Sequence, residues 1–156
     1  MLFLVALTAA ALAALGQVWS TAAQRERELE LGWRGAEIAR AIASYAQATA
    51  VPPAQYPREL QDLLVDRRGL LPRHHLRRLY LDPFTRESDW VLVPEASQPG
   101  RFSAVRSRSE QVLLREVALE SGTARKASEW VFTARMAAEP GMSASAAALS
   151  PSSPTR

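Results

Sequence analysis

No proline occurs between Met1 and Val51, and that absence allows one helix to run through nearly a third of the chain. The front of the run is apolar: no charged residue stands between Leu2 and Gly16, and the first charge comes at Arg25. A helix over about 18 to 22 such residues rises roughly 27 to 33 Å, enough to cross a hydrocarbon core at the short limit. The helical pattern continues beyond that length. Leu31, Gly35, Ile38, Ile42 and Tyr45 follow one another at spacings of four, three, four and three, the stripe of one helical face. The spacing therefore predicts a single helix of about 45 residues that begins in lipid and ends against a soluble core, with Gly32 and Gly35 each costing about 1 kcal/mol where exposed. Pro52 and Pro53 end it.

A secretory signal carries positive charge ahead of its apolar region and ends at a small-residue cleavage site. Here no Lys or Arg precedes the run, and Thr21-Ala22-Ala23 is a weak site. A cleaved product would also begin inside the helix. The run is accordingly read as an anchor. Arg25 and Arg27 alternate with Glu26, Glu28 and Glu30, so flanking charge does not set its orientation.

After the break, Pro57 stands at an expected first helical position, and Leu60, Leu63 and Leu64 share one face, which predicts a short second helix packed on the first. The stretch RRGLLPRHHLRRLY follows, with Gly69 and Pro72 as punctuation. His74 and His75 are adjacent rather than four apart and no third His exists, so a metal site is not expected; the flanking arginines read as a solvated edge. Asp82-Pro83 opens a turn. Trp90 to Val93 and Arg101 to Ser107 are β-forming runs predicted to pair as a hairpin, with Glu129 to Thr133 as a third extended segment. The fold class expected is α+β: a long helix, a short helix and a small antiparallel sheet. From about Ala137 the Ala, Ser and Pro bias argues for a disordered tail. The organisation expected is residues 1–23 as the membrane half of the helix, 24–50 as its soluble half, 51–136 as the globular part and 137–156 as the tail.

Cysteine is absent, which excludes thiol catalysis, thiolate zinc and disulfides. The net charge of +3 comes with Arg and Glu interleaved, the pattern of a mixed-sign surface rather than a nucleic-acid footprint. The histidines have no Ser or Asp beside them in sequence, no Gly-rich phosphate loop is present, and the acidic residues read as lying on charged faces. Asp82 before Pro reads as a turn residue, and Trp90 and Trp130 read as core aromatics rather than ligand-stacking ones. An enzyme is not expected, and neither is a cofactor.

The segments GQVWSTAAQRERELE, AIASYAQAT, YPRELQDLLVDRR, HLRRLYLDPFTRESDW and SEWVF together resemble the type II secretion pseudopilins and the wider type IV pilin-like family, over roughly residues 1 to 132. Tyr56-Pro57 with Leu60, Leu63 and Leu64, then Tyr80, Asp82-Pro83, Thr85 and Trp90, carry the likeness, with Trp130 in the closing segment. Two departures stand out. No basic leader ending in Gly, no Phe after it and no early Glu precede the apolar run, which suggests that the natural start lies upstream of Met1; the alternative is a divergent member that escapes leader processing. Arg86 stands where many members have Gly after the Thr of the Asp-Pro turn. No acidic loop resembles the calcium site of the major secretion pseudopilins, so no calcium is expected.

The resemblance implies a filament subunit stored in the bacterial inner membrane as a single-pass protein with its soluble part in the periplasm. Its partners would be other copies, other pseudopilins, the inner-membrane assembly platform and membrane lipid, with no nucleic acid expected. Small residues such as Ala9, Ala13 and Gly16 would let helices approach in the filament. Arg25, Glu26, Arg27, Glu28 and Glu30 would pair between subunits and set register. Two other readings stay open: a single-pass periplasmic adaptor that does not polymerise, and a DNA-uptake pilin whose Arg67, Arg68, Arg73, Arg77 and Arg78 track phosphates.

Overall fold

The computed structural model describes residues 2–50, 52–119 and 122–135, with side chains from Trp19 onward. Its first element, α1, is one helix over Leu2–Gln47, 46 residues and roughly 69 Å long at 1.5 Å per residue. Each residue of the expected stripe is inside: Leu31, Ile38 and Ile42 are 1% exposed or less, and Gly35 and Tyr45 are buried beside them. Ala39, Ala41 and Ala43 widen that face. Ala48 and Thr49 turn the chain off the helix through N–H bonds to the carbonyls of Ser44 and Ala46, and a cis Pro52–Pro53 bond follows.

The second helix is shorter than Pro57 suggested. Only Gln61–Leu64 (α2) is helical, because the Asp62 carboxylate accepts the N–H groups of Arg58 and Glu59 and closes the preceding residues as a turn. Pro57, Leu60 and Leu63 are nevertheless buried against α1, with Leu64 half-buried.

The expected hairpin is present. Strand β1 (Val91–Pro94) pairs antiparallel with β2 (Phe102–Arg106), Leu92 opposite Val105. Two further strands, β3 (Val112–Leu119) and β4 (Gly122–Lys126), form a separate antiparallel pair that the sequence did not suggest. Val112-Leu113-Leu114-Arg115-Glu116-Val117 mixes paired apolar residues with charge and has neither a strand's strict alternation nor a helix's stripe. The last strand, β5 (Val131–Thr133), pairs antiparallel with β2 and completes a three-stranded sheet in the order β1-β2-β5. The fold is thus α+β, one long helix packed on two small antiparallel sheets. Its core lies between the α1 stripe and Phe102, Val105, Leu113, Phe132 and Trp90.

Among the described residues no helix is long and apolar enough to cross a membrane. The side chains of residues 2–18, including Ala9, Ala13 and Gly16, lie outside the description, as does the tail from Ala137.

Candidate assembly surface

Burial along α1 starts at Glu28 and Leu31; the described side chains from Trp19 to Arg27 are exposed or half-buried. Trp19, Leu29 and Trp33 are 75%, 62% and 51% exposed. At 100° per residue they fall within about 80° of one another, on the side of the helix turned away from the sheet. Trp33 meets Tyr80 edge-on, ring centroids 5.3 Å apart, so its ring is held in place while half of it faces outward. Beside this face a groove of about 260 Å³ runs between α1 and β3, lined by Arg25, Glu28, Leu29, Leu114 and Arg115. Leu114 on its far wall is 46% exposed, and Val112, two residues before it on β3, is 59% exposed.

The charges of this stretch divide into two sets. Glu28 is 3% exposed; its carboxylate accepts the Leu114 N–H at 2.6 Å and the Gln24 amide at 3.3 Å, while Gln24 also donates to the Val112 carbonyl at 2.7 Å. Those bonds supply partners to β3 where its ladder with β4 is irregular, between Val112 and Val117. Glu30 pairs with Arg34, which also donates to the Leu81 carbonyl. Glu28 and Glu30 are therefore engaged within the chain. Arg25, Glu26 and Arg27 are exposed and have no ion pair among the described residues, so the collar presents two positive charges and one negative at the surface.

The residues that carry the resemblance shape the core. Tyr56 donates its N–H to Gln98 and accepts from Arg101 at its carbonyl; Pro57 hands its carbonyl to the Phe102 N–H at 3.1 Å. Trp90 is buried, its indole N–H on the Tyr80 carbonyl at 2.8 Å. Trp130 is half-buried and tilts over Phe132, its ring edge resting on Gly32. Asp82 is fully buried with Pro83 beside it, and its Oδ1 accepts the Phe84 N–H at 2.8 Å. The turn closes through Arg86 N–H to Asp82 O at 2.7 Å and Asp82 N–H to Glu87 O at 2.8 Å, and the Thr85 hydroxyl donates to Asp89 at 2.7 Å. Arg86 has φ of +62°, the left-handed conformation that glycine adopts without steric cost. The turn closes with Arg86 in that conformation, and Arg86 carries the strain.

Two expectations about polar residues need correction. Acidic residues do not keep to charged faces, since Glu28, Asp66 and Asp82 are all buried. Nor does His75 lack Ser and Asp neighbours. Its Nδ1 lies 2.8 Å from Ser44 Oγ on α1, and its Nε2 lies 3.2 Å from Asp66 Oδ2. Sequence spacing concealed this, because 31 residues separate Ser44 from His75. Arg68 donates to both Asp66 oxygens, at 2.9 and 2.7 Å, lies over the Tyr45 ring 3.5 Å from its centroid, and reaches the Tyr45 carbonyl at 2.6 Å. That guanidinium holds the Asp66 carboxyl far below the usual carboxylate range, and Asp66 in turn raises Arg68; burial pushes the Tyr45 phenol up.

The Ser44, His75 and Asp66 line ties the segment around residues 66–75 to α1. Asp66 is already neutralised by Arg68. Ser44 sits inside α1, whose N–H groups are bound to carbonyls of the preceding turn, which leaves none of them to hold an oxyanion. The open hollow beside it, lined by Ser44, Gln47, Ala48, Arg73, His74 and His75, contains no acidic side chain. Among the described residues no three His, Asp or Glu gather as a metal site. No family model, no curated protein and no solved structure matches this chain.

Proposed function

We propose that the chain is a structural subunit of a type II secretion-like pseudopilus, anchored in the bacterial inner membrane through the front of α1 with its globular part in the periplasm. The carrying observation is the division of α1: one unbroken helix whose described side chains are buried against the body from Glu28 onward and exposed or half-buried from Trp19 to Arg27, with Trp19, Leu29 and Trp33 turned outward. A helix stored in lipid has its backbone satisfied internally, and it can leave lipid for a bundle of identical helices without unfolding. Clustered exposed aromatics on a rigid element are the surface such a transfer needs. Arg25 and Arg27, with no ion pair among the described residues, stand on α1 between Trp19 and Leu29 and would meet acidic groups of a neighbouring copy.

The absence of cysteine makes the test clean. An Ala22→Cys/Arg40→Cys variant keeps Trp19, Leu29 and Trp33 and places two thiols on that face 18 residues apart, about 27 Å along the axis, beyond the reach of a short bismaleimide within one chain. Membranes treated with that reagent should show a ladder of multimers. Adding Arg25→Glu and Arg27→Glu should shorten the ladder while the protein stays in the membrane fraction. Monomer alone, or a dimer that grows no further, would overturn the filament reading and leave a tethered adaptor.

A further inference from the structure

At the opposite end of α1 the chain from Asp66 to Arg73 makes a clasped loop. Asp66 and Arg73 exchange both backbone bonds, Asp66 N–H to Arg73 O at 2.8 Å and Arg73 N–H to Asp66 O at 3.0 Å. Arg68 fastens the loop to the helix through Tyr45 and Asp66, and donates to Thr49 at 3.1 Å as well. His75 adds the link to Ser44. The tip of this braced loop is Gly69-Leu70-Leu71-Pro72, with Leu70 105% and Leu71 77% exposed. A slack loop could fold two leucines back onto the body; this one is held so that they stand out. Arg67 and Arg73 flank the tip, both exposed and without an ion pair among the described residues. The hollow below Arg73 carries His74 and His75 and no carboxylate.

We propose that this loop is a membrane-docking wedge: Leu70 and Leu71 enter the interfacial region of an anionic phospholipid leaflet, while Arg67 and Arg73 contact headgroup phosphates. Charge complementarity selects the leaflet, because an apolar tip ringed by arginine matches a surface whose outer layer is anionic and whose inner layer is hydrocarbon. Area argues against a protein groove as the occupant. A stable protein interface buries about 800 Å² on each side, more than the tip of one short loop offers, whereas shallow insertion needs only the tip. Tyr45, which anchors the loop, lies 26 residues beyond Trp19, about 39 Å along the helix. The wedge therefore stands well clear of the bilayer that the front of α1 would enter and meets a second surface. That placement rests on the proposed anchoring of α1; the chemistry of the tip does not.

The test uses the full chain, carrying a single Leu70→Cys labelled with a polarity-sensitive fluorophore and incorporated into zwitterionic phosphatidylcholine nanodiscs. Vesicles containing phosphatidylglycerol should raise the fluorescence severalfold and pure phosphatidylcholine vesicles should not. A label at Ser97→Cys should report no change with either. In the unlabelled protein, Leu70→Ser/Leu71→Ser should weaken co-flotation of the discs with anionic vesicles about tenfold, as expected for losing two partly inserted leucines. Arg67→Gln/Arg73→Gln should weaken it and flatten its salt dependence. Equal response to both lipids, or co-flotation that the leucine pair does not affect, overturns the wedge. Should the protein fail to enter nanodiscs, the anchor reading fails, and the same probe is read on the free protein with the same two lipids.

Discussion

Gly35 sits on the buried face of α1, and the physical reason for a glycine there is the ring of Phe132. A Cβ built on Gly35 would fall 2.5 Å from Phe132 Cγ and closer still to Cδ2 and Cε2. Carbon atoms rest at about 3.5 to 4.0 Å, so the ring would have to withdraw by about 1 Å. It has little room. Phe132 is 7% exposed, lies 5.1 Å from the Trp130 ring and 6.4 Å from the Trp90 ring, and its strand is paired to Val105. Overpacking of this kind costs about 1 to 3 kcal/mol, and a ring held by two indoles and a paired strand puts it in the upper half of that range, about 2 to 3 kcal/mol, against which alanine recovers about 1 kcal/mol of helix propensity. The expected net effect of Gly35→Ala is a loss of about 1 to 2 kcal/mol, a Tm lower by roughly 5 to 12 °C for a fold of this size. Gly32 supplies the control. Its Cβ would meet the Trp130 ring at 2.9 and 3.3 Å, but that indole is half-buried and can swing outward, so Gly32→Ala should stay within about 0.5 kcal/mol of wild type. The assay is thermal unfolding of the full chain in detergent, followed by the near-ultraviolet circular dichroism of its tryptophans. In a Phe132→Leu background the cost of Gly35→Ala should shrink or reverse. Gly35→Ala as stable as wild type, or Gly32→Ala the more damaging of the two, would refute the argument.

Arg86→Gly should raise Tm by a few degrees: the left-handed conformation costs an ordinary residue about 1 to 2 kcal/mol, and the greater freedom of glycine in the unfolded chain returns about 0.4 to 1 kcal/mol of that. A Tm that does not rise would show that the Arg86 conformation is unstrained. Asp66→Asn should lower stability at pH 7 and flatten the acid limb of the stability profile. The folded carboxyl titrates well below its unfolded value near 3.9, so its contribution is complete above about pH 5 and is lost as the pH falls from about 4 toward the depressed folded value. Melting curves of the two proteins should converge as the pH drops, and a constant offset would assign the stabilisation to something other than the Asp66 charge.

The sequence disclosed most where periodicity or backbone chemistry left one solution. The stripe from Leu31 to Tyr45 and the lack of proline before Pro52 specified α1 and its inward face. Asp82-Pro83 marked its turn, and the β-forming runs around Val91 and Phe102 found each other across a short connection. Hidden features depend on residues far apart in the chain. Glu28 reads as one more charge in an alternating run until β3 delivers the Leu114 N–H to it across 86 residues. His75 acquires Ser44 and Asp66 only when the clasped loop docks on α1. Strands β3 and β4 were illegible for another reason. Their two-stranded ribbon is mostly exposed, with burial concentrated at Leu113 and Ala124, so no apolar alternation was selected to announce it.

The burial of Glu28 changes what the charged collar can do under the proposed reading. If all five charges from Arg25 to Glu30 were free, a neighbouring copy could match them sign for sign, and register would be electrostatic. With Glu28 on β3 and Glu30 on Arg34, only Arg25, Glu26 and Arg27 remain, and exposed pairs of this kind contribute about 0 to 1 kcal/mol each. Trp19, Leu29 and Trp33 expose far more apolar surface than that can offset, at about 25 cal/mol per Å² buried. The affinity between copies then resides in the apolar face and tolerates salt, while the arginines act on alignment. Glu28 has a separate task. By tying β3 to α1 where the described part of the helix first meets the body, it joins the wall of the groove to the helix, so force along α1 reaches β3 through the Glu28 carboxylate on the Leu114 N–H and the Gln24 amide on the Val112 carbonyl.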